Sequence, residues 1–230
     1  MNRGSFLNHL NSAIKIVSSC NLLKDKIEKT ERDRFAIRRT ISSLEDYNNY
    51  IHEVYEKVDY DILLNDESFF QFDQKMEDSK ISYRYVYMQN SVRRLTFEEF
   101  CEKQGFTQNE DDIDEIEDYF EEQAGDDAFV PNVFPLYLRY DVSDIGYKAN
   151  VHSFAHLHIG TSGGVRLPVG KILTPDAFVS MCLKLAYPEI WNNKIVKDPH
   201  RVELYNFKKQ CEDIPPIYWT EDEKRDIFLG

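Results

Sequence analysis

The first third of the chain carries apolar residues at three- and four-residue spacing, which is the spacing of one helix face. This pattern predicts a first helix from Ser5, a suitable N-cap, to Leu23, and a second helix from about Glu31 to Tyr55. The two apolar stripes can pair across the polar turn between them as an antiparallel hairpin. We therefore expect residues 1–60 to form a helical hairpin.

The pattern then changes to alternation with period two, which is typical of β-strands. The segments 68–73 and 81–88 are rich in aromatic and β-branched residues and predict a β-hairpin. Successive side chains of a strand point to opposite faces. The second segment therefore sorts six side chains, with Tyr83, Tyr85 and Tyr87 on one face and Arg84, Val86 and Met88 on the other.

Several local signals mark the elements that follow. Thr96 begins a capping box before a short helix ended by Gly105, and Thr174 caps a helix with proline in its first turn. Apolar runs predict strands at 134–140 and at 151–159.

Together these elements predict an α+β fold, in which the N-terminal helical hairpin is followed by a mostly antiparallel sheet packed with helices. We assign residues 61–191 to this α+β core and residues 192–230 to a polar C-terminal tail with a short helix. The pattern does not determine the order of the strands.

Charge is concentrated in one segment. The chain has a net charge of −13, but residues 109–127 carry eleven acidic residues and no basic one, which leaves 28 basic and 30 acidic residues elsewhere. The simplest interpretation is a solvated helix face. The alternative is a docking element, and we expect any protein partner to bind through this segment or through the N-terminal hairpin.

Other compositional features concern the compartment. The sequence contains no apolar run near 18 residues, so we expect no membrane span, and the N-terminal residues do not resemble a signal peptide. The four cysteines are far apart and form no CxxC pair, which indicates reduced thiols. We expect a cytoplasmic protein.

Three of the six histidines, His152, His156 and His158, lie within seven residues. Histidine titrates near neutral pH and is the commonest metal ligand. Alternation places the three on one face of the predicted strand, and Arg139 and Asp141 share a face on the preceding strand. If the two strands are neighbours, these five side chains meet.

Such a set suits phosphodiester chemistry. A neutral imidazole can accept the proton of an RNA 2′-hydroxyl, an imidazolium can protonate the leaving oxygen, and an arginine can stabilise the transition state. We assign catalytic roles to His156, His158, Arg139 and Asp141, with Asp141 orienting one imidazole. No cofactor is expected, although a His-x-His pair can also hold a divalent metal, and buried histidines beside a carboxylate are a common structural feature.

A glycine-bearing turn follows the histidines. Gly163 and Gly164, followed by Arg166, can cradle a phosphate with backbone N–H groups. The segment lacks the spacing of a P-loop, so a tight turn between strands is the simpler interpretation. We assign Gly163, Gly164, Arg166 and His152 to substrate binding.

Several motifs in the C-terminal half resemble those of an uncharacterised bacterial family known as a domain of unknown function. They are Arg139-Tyr-Asp141, Ala155-His156-Leu-His158-Ile-Gly160, Arg166-x-Pro168, Thr174-Pro175, Phe178 and Tyr187-Pro188-x-x-Trp191. The pairing of Arg-Tyr-Asp with His-x-His is similar, more loosely, to toxin components of bacterial toxin–antitoxin and phage-defence loci. That resemblance implies a toxic nuclease role.

Three hypotheses follow. The first is a metal-independent, RNA-directed nuclease effector of a bacterial defence or toxin system. The second is a non-catalytic partner or regulatory subunit with structural histidines, and the third is a metal- or nucleotide-binding sensor. Carboxylates near the histidines are scarce, which favours the first over the third. Imidazoles open to a cleft near Arg139 would favour chemistry, and imidazoles buried under the helix at 175–186 would favour a structural role.

Overall fold

The computed structural model divides the chain into two compact units. The larger unit comprises Met1–Gln89 and Leu136–Gly230, and the smaller unit, Asn90–Pro135, is inserted between them in the chain. The residues that the structure describes are 1–28, 41, 43–77, 80–106, 113–122, 125–161, 165–196 and 207–225.

The helices and strands are numbered along the chain. The strands are β1 (Leu23–Lys26), β2 (Ile62–Leu64), β3 (Phe69–Glu77), β4 (Lys80–Met88), β5 (Val92–Arg94), β6 (Phe129–Pro131), β7 (Tyr137–Val142), β8 (Ala155–Ile159), β9 (Val165–Pro168), β10 (Lys171–Ile172) and β11 (Glu212–Asp213). The helices are α1 (Arg3–Ser19), α2 (Leu44–Glu56), α3 (Phe97–Gln104), α4 (Ile113–Glu122), α5 (Pro175–Ala186), α6 (Pro188–Ile190) and α7 (Phe207–Gln210).

The larger unit is built on a seven-stranded sheet with the order β1-β2-β3-β4-β7-β8-β9. Every neighbouring pair in this sheet is antiparallel. The α+β class with a mostly antiparallel sheet is therefore confirmed. Strands β7 and β8, which carry Arg139 and the histidines, begin later than the sequence pattern predicts, at Tyr137 rather than 134 and at Ala155 rather than 151.

Helices α1 and α5 pack on one face of the sheet. Phe178 of α5 contacts the rings of Phe70, Tyr85 and Tyr140, and Phe6 of α1 contacts Tyr85. The predicted alternation in β4 is confirmed, because Tyr83, Tyr85 and Tyr87 all belong to this buried cluster. The apolar face of the sheet is thus covered by two helices.

The opposite face carries a second hydrophobic cluster, formed by α2 and by residues of β3, β4 and β7. Helix α2 begins at Leu44, where the Ser43 side chain accepts a hydrogen bond from the Asp46 N–H, rather than near Glu31. The residues from 29 to 40 lie outside the described part of the chain. In place of direct pairing between α1 and α2, strand β1 follows α1, and the buried residues of the two helices belong to different clusters.

The helix caps predicted from the sequence are present at α3 and α5. Thr96 and Glu99 form the reciprocal capping box of α3, and Gly105 ends that helix with a left-handed φ of 78°. The Thr174 side chain accepts a hydrogen bond from the Ala177 N–H at the start of α5. The predictions for these two helices are confirmed.

The smaller unit combines the β5–β6 pair with α3 and the acidic helix α4. Its core contains Leu95, Phe100, Phe120 and Ala128. Arg94 lies over the ring of Phe120 and pairs with an acidic residue of the same helix, Glu121, at 3.0 Å. One arginine therefore fixes α4 through both its apolar and its acidic side.

The C-terminal segment takes part in the larger unit. Strand β11 pairs with β10, and Cys211 and Ile214 belong to the cluster that contains α1 and α5. All four cysteines are buried and are not joined by disulfides. Among the described residues, the helices are too short or too polar to cross a membrane.

Candidate functional site

Register places the predicted site residues side by side on three neighbouring strands. Between β7 and β8, Arg139 lies opposite His158 and Asp141 lies opposite His156; on β9, Arg166 lies opposite His158. Residues directly opposite one another project from the same face of a sheet. The five side chains therefore share one face.

This face is the one opposite α5. Tyr140, which lies between Arg139 and Asp141 in β7, points to the other side and contacts Phe178 of α5. The histidines are consequently not buried under that helix, although little of their surface is exposed: 5% of His156 and 2% of His158. Burial under α5, which would have favoured a structural role, is therefore not observed. The two imidazoles are nevertheless almost fully enclosed by other parts of the protein.

Asp141 is the centre of the charged network. Its Oδ1 accepts a hydrogen bond from Arg84 Nε at 2.6 Å, and its Oδ2 accepts one from Arg139 Nε at 3.0 Å. Burial acts to raise the pKa of Asp141, but contact with His158 and the two guanidinium groups outweigh it, so the pKa lies well below its usual range. Asp141 is therefore a permanent anion at neutral pH.

Arg84 is a member of this network that sequence reasoning did not assign to the site. It lies in β4, directly opposite Asp141 of β7. The signal was present in the alternation, which placed an arginine between Tyr83 and Tyr85 on the face away from the aromatic core. Its partner could not be identified, because the chain returns to β4 only after the smaller unit has been inserted.

His158 is bound by arginine. Arg139 Nη2 lies 2.8 Å from His158 Nε2, and because a guanidinium only donates, Nε2 is the acceptor and the neutral ring carries its proton on Nδ1. That Nδ1 is buried without a hydrogen-bond partner among the described residues. Asp141 Oδ2 is also 3.4 Å from Nε2. Nε2 of His158 thus lies between the Arg139 guanidinium and the Asp141 carboxylate.

His156 is held as a neutral base. Its Nδ1 donates to the Ser153 carbonyl at 2.9 Å, which leaves Nε2 unprotonated and 3.9 Å from Asp141 Oδ2. Burial lowers the pKa of His156 to about 4 despite the nearby Asp141 carboxylate. The rings of His156 and His158 are 4.8 Å apart, so two imidazoles lie within reach of one small group.

His152 lies outside β8, in the loop that leads to it. Its Nδ1 donates to the Gly146 carbonyl at 2.7 Å, and Gly146 adopts a φ of 77° that favours glycine. The ring is 4.9 Å from that of His156. The prediction that His152 belongs to the same strand as His156 is wrong, but the loop places its imidazole next to that of His156.

A cavity of about 270 Å³ adjoins the histidines. It is lined by His152, His156 and Arg166, and also by Glu223 from the C-terminal segment. Arg166 is exposed and has no hydrogen bond or ion pair with any described residue. The cavity therefore presents imidazole, guanidinium and carboxylate groups.

The predicted phosphate cradle cannot be placed, because Gly163 and Gly164 lie outside the described residues. Arg166, which follows them, lies on β9 within the site. Their role in substrate binding remains a prediction.

A metal ion is a second chemical possibility, because Asp141, His156 and His158 each offer a ligand atom and these atoms lie within 4.8 Å of one another. A carboxylate with two imidazoles is a set that transition metals accept. However, each carboxylate oxygen already binds a guanidinium, and Arg139 occupies Nε2 of His158. Two fixed positive charges at the ligand atoms disfavour a divalent cation and favour an anion.

Comparison with known proteins gives one family. The family described as "Uncharacterized conserved protein (DUF2290)" matches residues 14–227. No curated protein and no solved structure matched the chain. The family match spans the sheet and all the residues of the histidine–arginine site, and it confirms the expectation of a domain of unknown function. The chain belongs to the DUF2290 family.

Proposed function

We propose that this protein is a nuclease-like enzyme that cleaves RNA without a metal ion, as an effector of a bacterial defence or toxin system. One observation carries the proposal. The Arg139 guanidinium is hydrogen-bonded to His158, and a second imidazole, that of His156, is 4.8 Å from the first. A cation with two imidazoles on one sheet face is what the cleavage of a phosphodiester by its own 2′-hydroxyl requires.

The proposed reaction begins with His156. Its low pKa keeps Nε2 unprotonated at neutral pH, so it can accept the 2′-hydroxyl proton. A phosphate bound beside the ring raises its proton affinity through the added negative charge. The bond from O2′ to phosphorus forms while the bond from phosphorus to O5′ breaks.

His158 completes the transfer. In its protonated form it donates a proton to O5′ as that oxygen leaves, which yields a 2′,3′-cyclic phosphate and a 5′-hydroxyl end. Arg139 contacts His158 in the structure, and we assign it the stabilisation of charge on the transferring phosphoryl group. Asp141 acts as a positioning residue, because it binds both guanidinium groups and faces His158.

The test is cleavage of a single-stranded RNA by the purified protein in the presence of EDTA. The expected product carries a 2′,3′-cyclic phosphate, and His156→Ala or His158→Ala should each lower the rate on the order of 10²–10⁴. His52→Ala is the matched control, since His52 is exposed on α2 and is not a member of the charged network around Asp141. Unchanged cleavage in both site variants would overturn the proposal.

A non-catalytic partner subunit is the second candidate, and burial is the observation that favours it. His156 and His158 expose little surface, as histidines in a structural network do. The smaller unit, which contains the acidic helix, also exposes apolar side chains, with Val133 64% and Phe134 89% accessible. Absence of RNA cleavage, together with tight binding of a protein partner, would favour this candidate.

A further inference from the structure

The cavity beside His156 has features that the cleavage proposal does not use. One of its walls is Glu223, which is 3% exposed. Its Oε2 accepts hydrogen bonds from Tyr147 Oη, the Thr220 N–H and Thr220 Oγ1, at 3.0, 3.0 and 3.2 Å. Its Oε1 is buried and has no hydrogen-bond partner among the described residues. A carboxyl oxygen in that condition lacks the hydrogen-bond partner that normally offsets the cost of its burial.

The position of Glu223 is fixed by aromatic packing. Tyr218 stacks on Phe154 with ring centroids 4.4 Å apart and planes 1° apart, and it meets the ring of Tyr147 edge-on at 5.1 Å. Phe154 immediately precedes β8, and Tyr147 holds Oε2 of Glu223. The same residues thus hold the C-terminal segment against the loop that carries His152, so Oε1 is held in place without a partner of its own.

Two kinds of ligand group are therefore expected in one cavity. Arg166 is exposed and has no partner in the described chain, so it offers a positive charge to an anion. Glu223 offers an acceptor to a neutral or positive donor. The volume of about 270 Å³ is near the lower limit of about 300–1,000 Å³ that is usual for small-molecule sites, which suits one nucleotide.

We propose that this cavity binds a guanine nucleotide, with the base toward Glu223 and the phosphate toward Arg166, His152 and His156. A carboxylate can only accept hydrogen bonds, and guanine presents two adjacent donors, N1–H and the N2 amino group, on one edge. Adenine and cytosine place a ring acceptor beside their amino group, and uracil places its single N–H between two carbonyl oxygens. This inference rests on the proposed ribonuclease and specifies that it cleaves after guanosine.

Calorimetric titration of the whole protein tests the binding step. The probes are the 3′-monophosphates of guanosine, inosine, adenosine, cytidine and uridine, with inorganic phosphate as the reference. Guanosine 3′-monophosphate should bind most tightly, and inosine 3′-monophosphate, which lacks the N2 amino group, should bind about tenfold more weakly. This factor is that of one hydrogen bond to a charged group.

Three variants separate the two ends of the ligand. Glu223→Gln replaces an acceptor by a donor of the same shape. It should weaken the binding of guanosine 3′-monophosphate about 10- to 100-fold while leaving the affinity for phosphate unchanged. Arg166→Ala should lower the affinity for every probe, including inorganic phosphate. Tyr147→Phe removes a hydrogen bond to Oε2 of Glu223 but leaves Oε1 unchanged, so this variant should keep the preference for guanine. Glu221→Gln, at an exposed position next to Asp222, is the matched control.

The outcomes distinguish this inference from the proposed function. Guanine-selective binding lost in Glu223→Gln supports the inference, even if RNA is not cleaved. RNA cleavage that depends on His156 but shows no guanine preference, with equal binding by the wild type and Glu223→Gln, overturns the inference and leaves the ribonuclease standing. Binding of all five nucleotides with equal affinity also overturns it.

Discussion

Arg139 and His158 form a direct hydrogen bond, with Nη2 of the arginine 2.8 Å from Nε2 of the histidine. Because Nε of the same guanidinium binds Asp141, one arginine sets the orientation of an imidazole and of a carboxylate at once. Asp141 Oδ2 is also 3.4 Å from Nε2 of His158, so the guanidinium, the carboxylate and the imidazole meet at one nitrogen atom.

Replacement of Arg139 by lysine should therefore cost more than the loss of one positive contact. A lysine has a single donor group at its end, and it cannot bind Asp141 and His158 in the two directions that the planar guanidinium provides. We expect the rate of RNA cleavage to fall on the order of 10²-fold or more, as when a transition-state donor is lost. Arg93→Lys, at the exposed bidentate pair with Glu99, is the control and should leave the rate unchanged.

Removal of the Arg139 side chain should also create a metal site. In Arg139→Ala, Nε2 of His158 and Oδ2 of Asp141 lose the guanidinium that occupies them, while His156 remains within ligand distance. Zinc titration followed by calorimetry should show a binding site in this variant and none at this position in the wild type. Tight zinc binding by the wild type that His156→Ala abolishes would instead assign the histidines to metal ligation.

The charge of Asp141 should stabilise the fold in a pH-dependent way. Its pKa is depressed in the folded state, so its contribution is present above the unfolded-state value of about 3.9 and is lost as the pH falls through the folded pKa. At pH 7, Asp141→Asn should lower the free energy of unfolding by about 3 kcal/mol, the lower end for breaking a buried pair, because Arg84 is partly exposed.

Urea denaturation at pH 7 and at stepwise lower pH checks this expectation. The difference between wild type and Asp141→Asn should narrow below about pH 4. Asp222→Asn, at a position with a 75% exposed side chain, is the control. A difference that stays constant across the pH range would show that the effect of Asp141 is not electrostatic.

His156 should titrate far below an ordinary histidine. Burial lowers its pKa to about 4, so the unfolded chain binds a proton near pH 6.5 that the folded protein does not. Stability should therefore fall as the pH decreases from about 6.5 toward 4, and His156→Gln should remove this part of the pH dependence. An NMR titration of the imidazole signals, assigned through the same variant, should give a midpoint near 4, and a midpoint near 6.5 would contradict the burial of the neutral ring.

The acidic helix tests the partner hypothesis. Its exposed acids can be neutralised to Asn or Gln without touching Glu121, which pairs with Arg94; they are Asp114, Glu115, Glu117, Asp118 and Glu122. If a basic partner docks here, the variant should bind it more weakly and with a flatter dependence on salt concentration. Equal affinity at every salt concentration would leave only the solvated-face interpretation.

Local sequence rules predicted the local parts of this fold. The Thr96–Glu99 capping box and the Thr174 cap depend on residues three positions apart, and both helices form as expected. Alternation with period two likewise placed Arg139 and Asp141 on one face, because side-chain direction in a strand is a property of neighbouring residues.

The remaining parts depend on contacts between distant segments. Arg84 joins Asp141 only through the pairing of β4 with β7, and Glu223 reaches the cavity from the C-terminal segment. The packing of α1 and α2 likewise depends on distant segments, since the buried residues of the two helices belong to different hydrophobic clusters. Amphipathic periodicity shows that a helix has a face to bury but does not identify its partner.

The insertion of the smaller unit has an evolutionary consequence. At its base, the Gln89 N–H donates to the Leu136 carbonyl at 3.0 Å, and the Leu136 N–H donates to Gln89 Oε1 at 2.9 Å, so β4 and β7 are closed against each other where the chain leaves and returns. For these strands the whole unit is a long hairpin loop, and lengthening such a loop twofold costs only about 0.6 kcal/mol. A change in the length of the acidic unit is thus compatible with an unchanged register between Arg84 and Asp141, so this insertion can vary in evolution while the sheet keeps its charged network.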